Sequence, residues 1–449
     1  MTSTALTAGL FSTERMQAIF SERGCVQRML DVEAALARAQ AQLGMIPAAA
    51  AQAIAACCDA DRIDLAALAR EAASAGNLAI PLVRQLTALV AAVDAKAAGQ
   101  VHWGATSQDI IDTALVLQSR DALAVLRADL NDCGDALAVL AERHRDTPQI
   151  GRTWMQHALP ITFGLKAAGW LDGLTRQRQR LDELESRLLA LQLGGAVGTL
   201  ASMQGQGLAL SQAMAQALQL KLPALPWHGA RDRMAEVATW CGLLAGMLGK
   251  IARDISLLSQ TEVGEASEPS APGRGGSSTM PHKKNPVACA ATLAVATRMP
   301  GLVAGVLNGM SGEHERALGG WQAEWDSLPE IMSLAGASLQ HMRGAVAGLQ
   351  VDQARMAANL ALTHGLVMAE PVALALGRSM GKQAAHHLLE AACREAVQSG
   401  RELHAVLGAM PQVQAMLDDA QLARLLDPAN YLGHSADFVN RALADWREN

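Results

Sequence analysis

Residues 121–145 read DALAVLRADLNDCGDALAVLAERHR. Leu123, Leu126, Leu130, Cys133, Leu137 and Leu140 recur at alternating intervals of three and four. On a helix of 3.6 residues per turn this spacing makes a narrow apolar seam, the kind that faces a near-parallel neighbour. Leu174, Leu181, Leu184, Leu188 and Leu191 lie on a similar stripe, as do Val237, Trp240, Leu244, Met247, Ile251 and Leu258. Three such segments, each several turns long, predict an all-α protein built around a long helical bundle. The stripes argue for architecture and carry no chemistry.

Composition agrees. Only 3% of the 449 residues are aromatic, with one Tyr and four Phe, so the side chains that favour strands are scarce. Alanine and leucine, which favour helix, fill the chain. Charged residues are 18%, below the usual ~25%, which favours extensive burial, including burial at subunit interfaces. The net charge of -6 gives no reason to expect nucleic acid or an acidic membrane as a partner. Seven scattered cysteines without a Cys-x-x-Cys pair read as free thiols in a reducing cytoplasm. The N-terminal MTSTALTAGLFSTERM lacks a basic segment followed by an apolar one. No run of about 18 uninterrupted apolar residues appears, so neither a signal peptide nor a membrane span is expected.

The breaks suggest three helical regions, 1–110, 111–350 and 351–449, without an internal repeat. Thr147-Pro148 should close the first long helix, and Gly194-Gly195 the second. Leu222–Pro226 opens the connection to the third. The longest irregular stretch is 262–286, EVGEASEPSAPGRGGSSTMPHKKNP, with four prolines and four glycines. A long loop beside a rigid bundle is usually functional or disordered.

Four segments can carry chemistry. The loop begins like a Gly/Ser linker but ends on two lysines and an amide. Backbone freed by glycine, with cations and hydroxyls nearby, suits an anion such as a carboxylate or phosphate. Residues 101–109, VHWGATSQD, pack an imidazole and short polar groups into a turn before a helix. A helix cap explains one of Thr106, Ser107 and Asp109 but not all of these groups. Residues 151–160, GRTWMQHALP, lie between two long helices, and a lone histidine there is more often structural than catalytic. Glu313-His314-Glu315-Arg316, followed by Trp321, Glu324 and Trp325, reads at face value as a solvated helix with paired charges.

Read together, these segments resemble the fumarase/aspartase superfamily. GSSTMPHKKNP at 276–286 is similar to its signature loop, Gly-Ser-Ser-x-Met-Pro-x-Lys-x-Asn-Pro, at eleven consecutive positions. The 102–109 and 151–160 segments resemble its first and second active-site regions. Gly365-Leu366 to Glu370, and Asp427-Pro428 with Tyr431-Leu432-Gly433, resemble its C-terminal part. The resemblance implies a homotetramer in which each active site is assembled from three subunits. It implies proton transfer next to a carboxylate with loss or addition of a β-group. By position, Ser277 is implied as the proton-transfer residue, and Lys283 and Asn285 as holders of the substrate carboxylate. The resemblance implies that His102, Thr106 and Ser107 line the same site. No cofactor or metal is expected. The chemistry agrees: a carbon acid beside a carboxylate ionises only if cations and donors meet the developing charge, and a serine base needs its own anion stabilised likewise.

Two departures from the family pattern narrow the reaction. Nitrogen-releasing members have Thr-His where this chain has Thr153-Trp154, and that histidine is the acid for the departing nitrogen. A carboxylate, with pKa ~4, leaves or adds without such an acid. Trp154 therefore points to a bond made with a carboxylate oxygen: a lactonising cycloisomerase acting on a small tricarboxylate. The other reading is a Trp154 that only fills space while His157 acts as acid, so His157 joins Ser277 as a catalytic candidate; Gln156 and Arg316 join the substrate-binding set. Nucleotide-handling relatives also follow His-Glu-Arg with hydroxyls and an arginine that meet a phosphate. Here 317–325 reads ALGGWQAEW, and nothing is left to pair with AMP. The alternatives are an adenylosuccinate lyase-like enzyme releasing fumarate and a scaffold that has lost catalysis, the latter opposed by the intact Ser277, Lys283 and Asn285.

Overall fold

Helix-favouring sequence becomes helix. The protein, seen as a computed structural model, is described at residues 6–270, 275–276, 280 and 283–448. Six of its helices are longer than twenty residues: α1 (Glu22–Gln42), α2 (Ser107–Arg143), α3 (Phe163–Leu188), α4 (Asp232–Leu258), α5 (Val287–Gly309) and α6 (Gly320–Ala347). The leucine seams are core: Leu123, Leu126, Leu130, Cys133 and Leu137 are fully buried, as are Leu174, Leu181 and Leu188. In the third stripe Leu248 takes the buried position and Met247 is half-buried. All seven cysteines are free.

The chain forms two compact units. One comprises Met1–Leu130, Gln177–Leu248 and Ala291–Gln340; the other comprises Asn131–Arg176, Gly249–Ala290 and His341–Asn449. Helices α2 to α6 each contribute residues to both. In the second unit, the C-terminal helices build a core of their own around Val372, Leu376, Leu389, Leu403, Leu407 and Leu422.

Helix ends depart from the expected breaks. Helix α3 stops at Leu188, before Gly194-Gly195. Lys221 stops it: its backbone N–H donates to Leu189 O at 2.8 Å, and its carbonyl accepts from Leu191 N–H at 2.9 Å. Helix α5 meets the length and hydropathy of a membrane span, with 39% of its most apolar stretch buried within the chain. The bundle interior selects the same composition, and Arg298, paired with Glu330, interrupts it.

The larger difference lies between α2 and α3. Pro148–Thr153 (β1) and Gln156–Thr162 (β2) form an antiparallel hairpin in the second unit. Proline at 148 and 160 disfavours helix there, and the intervening residues pair as strands instead. A second short pair joins Ala266–Ser267 (β3) to Gln350–Val351 (β4).

Candidate active site

In the first unit, the turn before α2 is held by buried polar groups. His102 has a left-handed backbone, φ 57°, and Gly104 has φ 76°. A Cβ at Gly104 would stand 2.7 Å from Met203 Sδ, so glycine is required there. Asp109, in the first turn of α2, is the anchor. Its carboxylate accepts from the N–H groups of Thr106 (3.0 Å), Gly194 (2.9 Å) and Gly195 (2.9 Å), and it meets His228 Nε2 at 2.7 Å. The glycine pair thus binds Asp109 rather than capping α3.

His102 itself faces α1. Its Nδ1 lies 2.6 Å from Glu33 Oε1, and Glu33 is 1% exposed. One residue on, Trp103 O accepts from Gln40 Nε2 at 2.7 Å. Burial alone would lower the His102 pKa; the Glu33 charge and hydrogen bond, with Asp109 adding, outweigh it, so the net shift is upward.

Arg316 completes this cluster. Residues 311–319 are irregular, and helix begins only at Gly320, so the Glu313–Arg316 segment is not helical. Arg316 Nη1 donates to Thr106 Oγ1 at 2.7 Å, and its Nε donates to Gln108 Oε1 at 3.2 Å. Gln108 is fully buried, and its amide nitrogen donates to Asp112 Oδ2 (3.0 Å) and His228 O (3.1 Å). Its oxygen is therefore left to face Arg316. Ser107, the first residue of α2, is half-buried beside Thr106.

Behind these residues lies a buried ionic group. Arg231 donates to both oxygens of Asp112 (2.7 and 3.1 Å) and to both oxygens of Glu324, the Nε bond being 3.0 Å. Burial opposes the Arg231 charge, but the two carboxylates outweigh it and its pKa rises. Burial pushes Glu324 up against the opposing pull of Arg231. Trp321 Nε1 donates to Asp112 Oδ1 at 2.9 Å and its ring meets Trp325 edge-on, centroids 4.9 Å apart. Trp321 and Glu324, read from sequence as a solvated face, are buried.

In the second unit, the hairpin presents Trp154 and Met155 at its tip. Both have positive φ, 53° and 65°, in positions that hairpins usually give to Asn-Gly. A bulky residue rarely adopts this conformation, and such strain clusters at functional sites. Trp154 is 96% exposed within the chain. Gln156 is exposed and pairs with Thr153; His157 pairs with Arg152 and is half-buried. His157 Nδ1 is buried without a hydrogen-bond partner among the described residues. Burial, then the Arg152 charge, lowers the His157 pKa, with Glu265 opposing. Glu265 fixes the strand beneath. Fully buried, it takes both oxygens to Arg152 (2.6 and 2.9 Å) and also accepts from Gln149 and Asn359, each at 2.7 Å. Burial raises its pKa, but these donors outweigh that and hold it below the ordinary value.

The long loop of the second unit frames a cavity of ≈ 200 Å³ whose lining includes Ser259, Ser270, Gly276, Lys283, Lys284 and Asn285. Gly276 bridges to Lys284, and Asn285 N–H donates to Gly275 O at 2.8 Å. A Cβ at Gly275, φ 68°, would stand 2.6 Å from Asn285 O. Among the described residues neither Lys283 nor Lys284 has an ion-pair partner, which suits an anion site. Glu268 caps the start of α5, accepting from Ala288 N–H (3.1 Å) and Cys289 N–H (2.8 Å). Ser277 lies outside the described residues.

The expected site residues thus fall into two sets. His102, Thr106, Ser107 and Arg316 share the first unit; Trp154, Gln156, His157, Lys283 and Asn285 share the second. Sequence reasoning missed Glu33, although it was visible as an acid on an apolar stripe. It also missed Arg231, Asp112 and Glu265, whose partners are too distant in sequence for spacing to reveal.

A family profile described as "Lyase" matches residues 10–301, and one described as "Adenylosuccinate lyase C-terminus" matches residues 365–442. The chain belongs to this lyase family, within the fumarase/aspartase superfamily. It is 56% identical to a Pseudomonas aeruginosa protein named 3-carboxy-cis,cis-muconate cycloisomerase, over 97% of this chain and 95% of the other. A Bradyrhizobium diazoefficiens protein of the same name is 51% identical, over 98% of each. The crystal structure of 3-carboxy-cis,cis-muconate lactonizing enzyme from Pseudomonas putida matches with a TM-score of 0.96 and 50% identity, over 99% of each chain.

Proposed function

We propose that the chain is a cycloisomerase that lactonises 3-carboxy-cis,cis-muconate. One substrate carboxylate adds across the molecule's own double bond, a proton goes to the neighbouring carbon, and 4-carboxymuconolactone results. This is a step in the protocatechuate branch of aromatic catabolism, carried out in the cytoplasm. The observation that carries the reading is the 56% identity, over nearly the full length of both chains, with a protein of that name. The chemistry of position 154 supports it: indole cannot protonate a leaving nitrogen, and a reacting carboxylate needs no such acid.

In this reading Ser277 or His157 transfers the proton, Lys283 and Asn285 hold a carboxylate, and Arg316 with His102, Thr106 and Ser107 receives the rest of the substrate. Trp154 and Gln156 close the site. The working form is a homotetramer with active sites shared between subunits. The 96% exposure of Trp154 within one chain supports this, because a pocket-forming role at that position needs a second surface.

The test is an absorbance assay of the purified protein on 3-carboxymuconate and, separately, on adenylosuccinate. Lactone formation with little fumarate release is expected. Faster cleavage of adenylosuccinate would overturn the reading. Sedimentation of a fully active monomer would rule out the shared sites.

A further inference from the structure

Helix α1 carries two polar side chains on a buried stripe. Val26, Leu30, Glu33, Ala37 and Gln40 follow intervals of four and three, and all five are buried. An apolar side chain at 33 would serve packing better, since burying a carboxylate is costly unless a partner compensates. Glu33 has one such partner. Its Oε1 meets His102 Nδ1 at 2.6 Å, while Oε2 has no hydrogen-bond partner among the described residues. That distance is slightly shorter than the ≈ 2.7–2.9 Å usual for charge-assisted N–H···O bonds. Two turns along the same stripe, Gln40 holds the next backbone carbonyl, Trp103 O. Helix α1 therefore grips the turn at a side chain and at the backbone, and His102 accepts a left-handed φ of 57° there. With Nδ1 committed to Glu33, Nε2 is the ring's remaining polar atom, and it has no partner among the described residues.

We propose that Glu33 is a positioning residue that keeps His102 doubly protonated, so that its Nε2–H offers a positive charge to one carboxylate of the substrate. The substrate half of this inference rests on the lactonising function; the protonation half does not. The charged groups facing His102 are Glu33 from α1 and Asp109 from the first turn of α2. Asp109 is already shared among His228 and three backbone N–H groups, which leaves Glu33 as the partner of the imidazolium. The balance of burial against these carboxylates is upward. A tricarboxylate brings three negative charges. Lys283 and Arg316 are two cations offered to them, and His102 is a third only while Glu33 stabilises its second proton.

Glu33→Gln keeps the shape and removes the charge. In protein labelled with 13C at histidine, the His102 signal (identified by its absence in His102→Gln) should titrate above 6.5 in the wild type and lower in Glu33→Gln. The variant's KM for 3-carboxymuconate should rise roughly tenfold at a pH between the two His102 midpoints, with a smaller change in kcat, and the gap should close at a pH below the variant's midpoint, where both proteins carry the charge. A wild-type His102 titrating below 6.5 would overturn the pairing without recourse to any variant. An equal KM penalty at both pH values would reduce Glu33 to a packing role. A wild type with no turnover would refute the functional reading, and the titration would still decide the pairing.

Discussion

Arg316 reaches Thr106 across 210 positions of sequence, its Nη1 donating to Oγ1 at 2.7 Å. The acceptor is neutral, as is its second acceptor, Gln108. Arg152 and Arg231, by contrast, are each neutralised by carboxylates. Among the described residues Arg316 has no carboxylate partner, so its charge stays available to an anion. Gln108 makes this possible, because its amide nitrogen is occupied by Asp112 and His228 and only its oxygen can meet the guanidinium.

Arg316→Lys should therefore be a damaging exchange although it keeps the charge. An ammonium cannot hold Thr106 and Gln108 in one fork and still face a substrate. Steady-state kinetics should show KM raised about tenfold, with kcat less affected. An unchanged KM would remove Arg316 from the binding set.

Arg231→Met should act on stability. Asp112 and Glu324 would be left buried without their common cation, a loss of about 3–5 kcal/mol. Urea unfolding at fixed protein concentration should show a lower midpoint. A midpoint within error of the wild type would mean that neighbouring groups absorb both charges.

Ser277→Ala should lower kcat by roughly 10²–10⁴, the usual contribution of a positioned proton-transfer group. Trp154→Phe should lose far less and keep the wild-type pH profile, because position 154 exchanges no proton in lactonisation. Equal losses in the two variants, with assembly intact, would give Trp154 a chemical role.

The lowered pKa of His157 makes a pH prediction. The neutral ring is favoured on folding, so its contribution to stability is present above the unfolded value of 6.5 and is lost as pH falls through the lower folded value. If His157 gives the proton in lactonisation it must first carry it, so kcat/KM falls as pH rises through the lowered folded value. In His157→Gln that alkaline limb should disappear together with much of the rate. An alkaline limb that survives the substitution belongs to another group, and the proton transfer then rests with Ser277.

The helical architecture was legible because burial demands apolar residues at a fixed period, and the leucine stripes of α2, α3 and α4 meet that demand. The hairpin was harder to read. Its turn uses Trp154 and Met155 at positive φ in place of the Asn-Gly that normally marks such a turn, so the local signal was missing. The candidate site was legible where chemistry is concentrated in one segment, as at 102–109 and 283–285. It was not legible where support comes from afar: Arg231 meets Asp112 across 119 positions and Glu324 across 93. Glu33 is an intermediate case, an acid in a seam where periodicity predicts an apolar side chain.

Trp154 also has an optical consequence. Trp170, Trp227, Trp240, Trp321 and Trp446 are each no more than 4% exposed, and Trp103 is 40% exposed, against 96% for Trp154. A collisional quencher added to separated chains would reach the indole at the hairpin tip before any other. Any surface that settles over the tip must shield that one fluorophore, whether it belongs to a second chain or to a closing loop. Quenching followed against protein concentration, with Trp154→Phe as the blank, would thus report assembly at the tip without an added label.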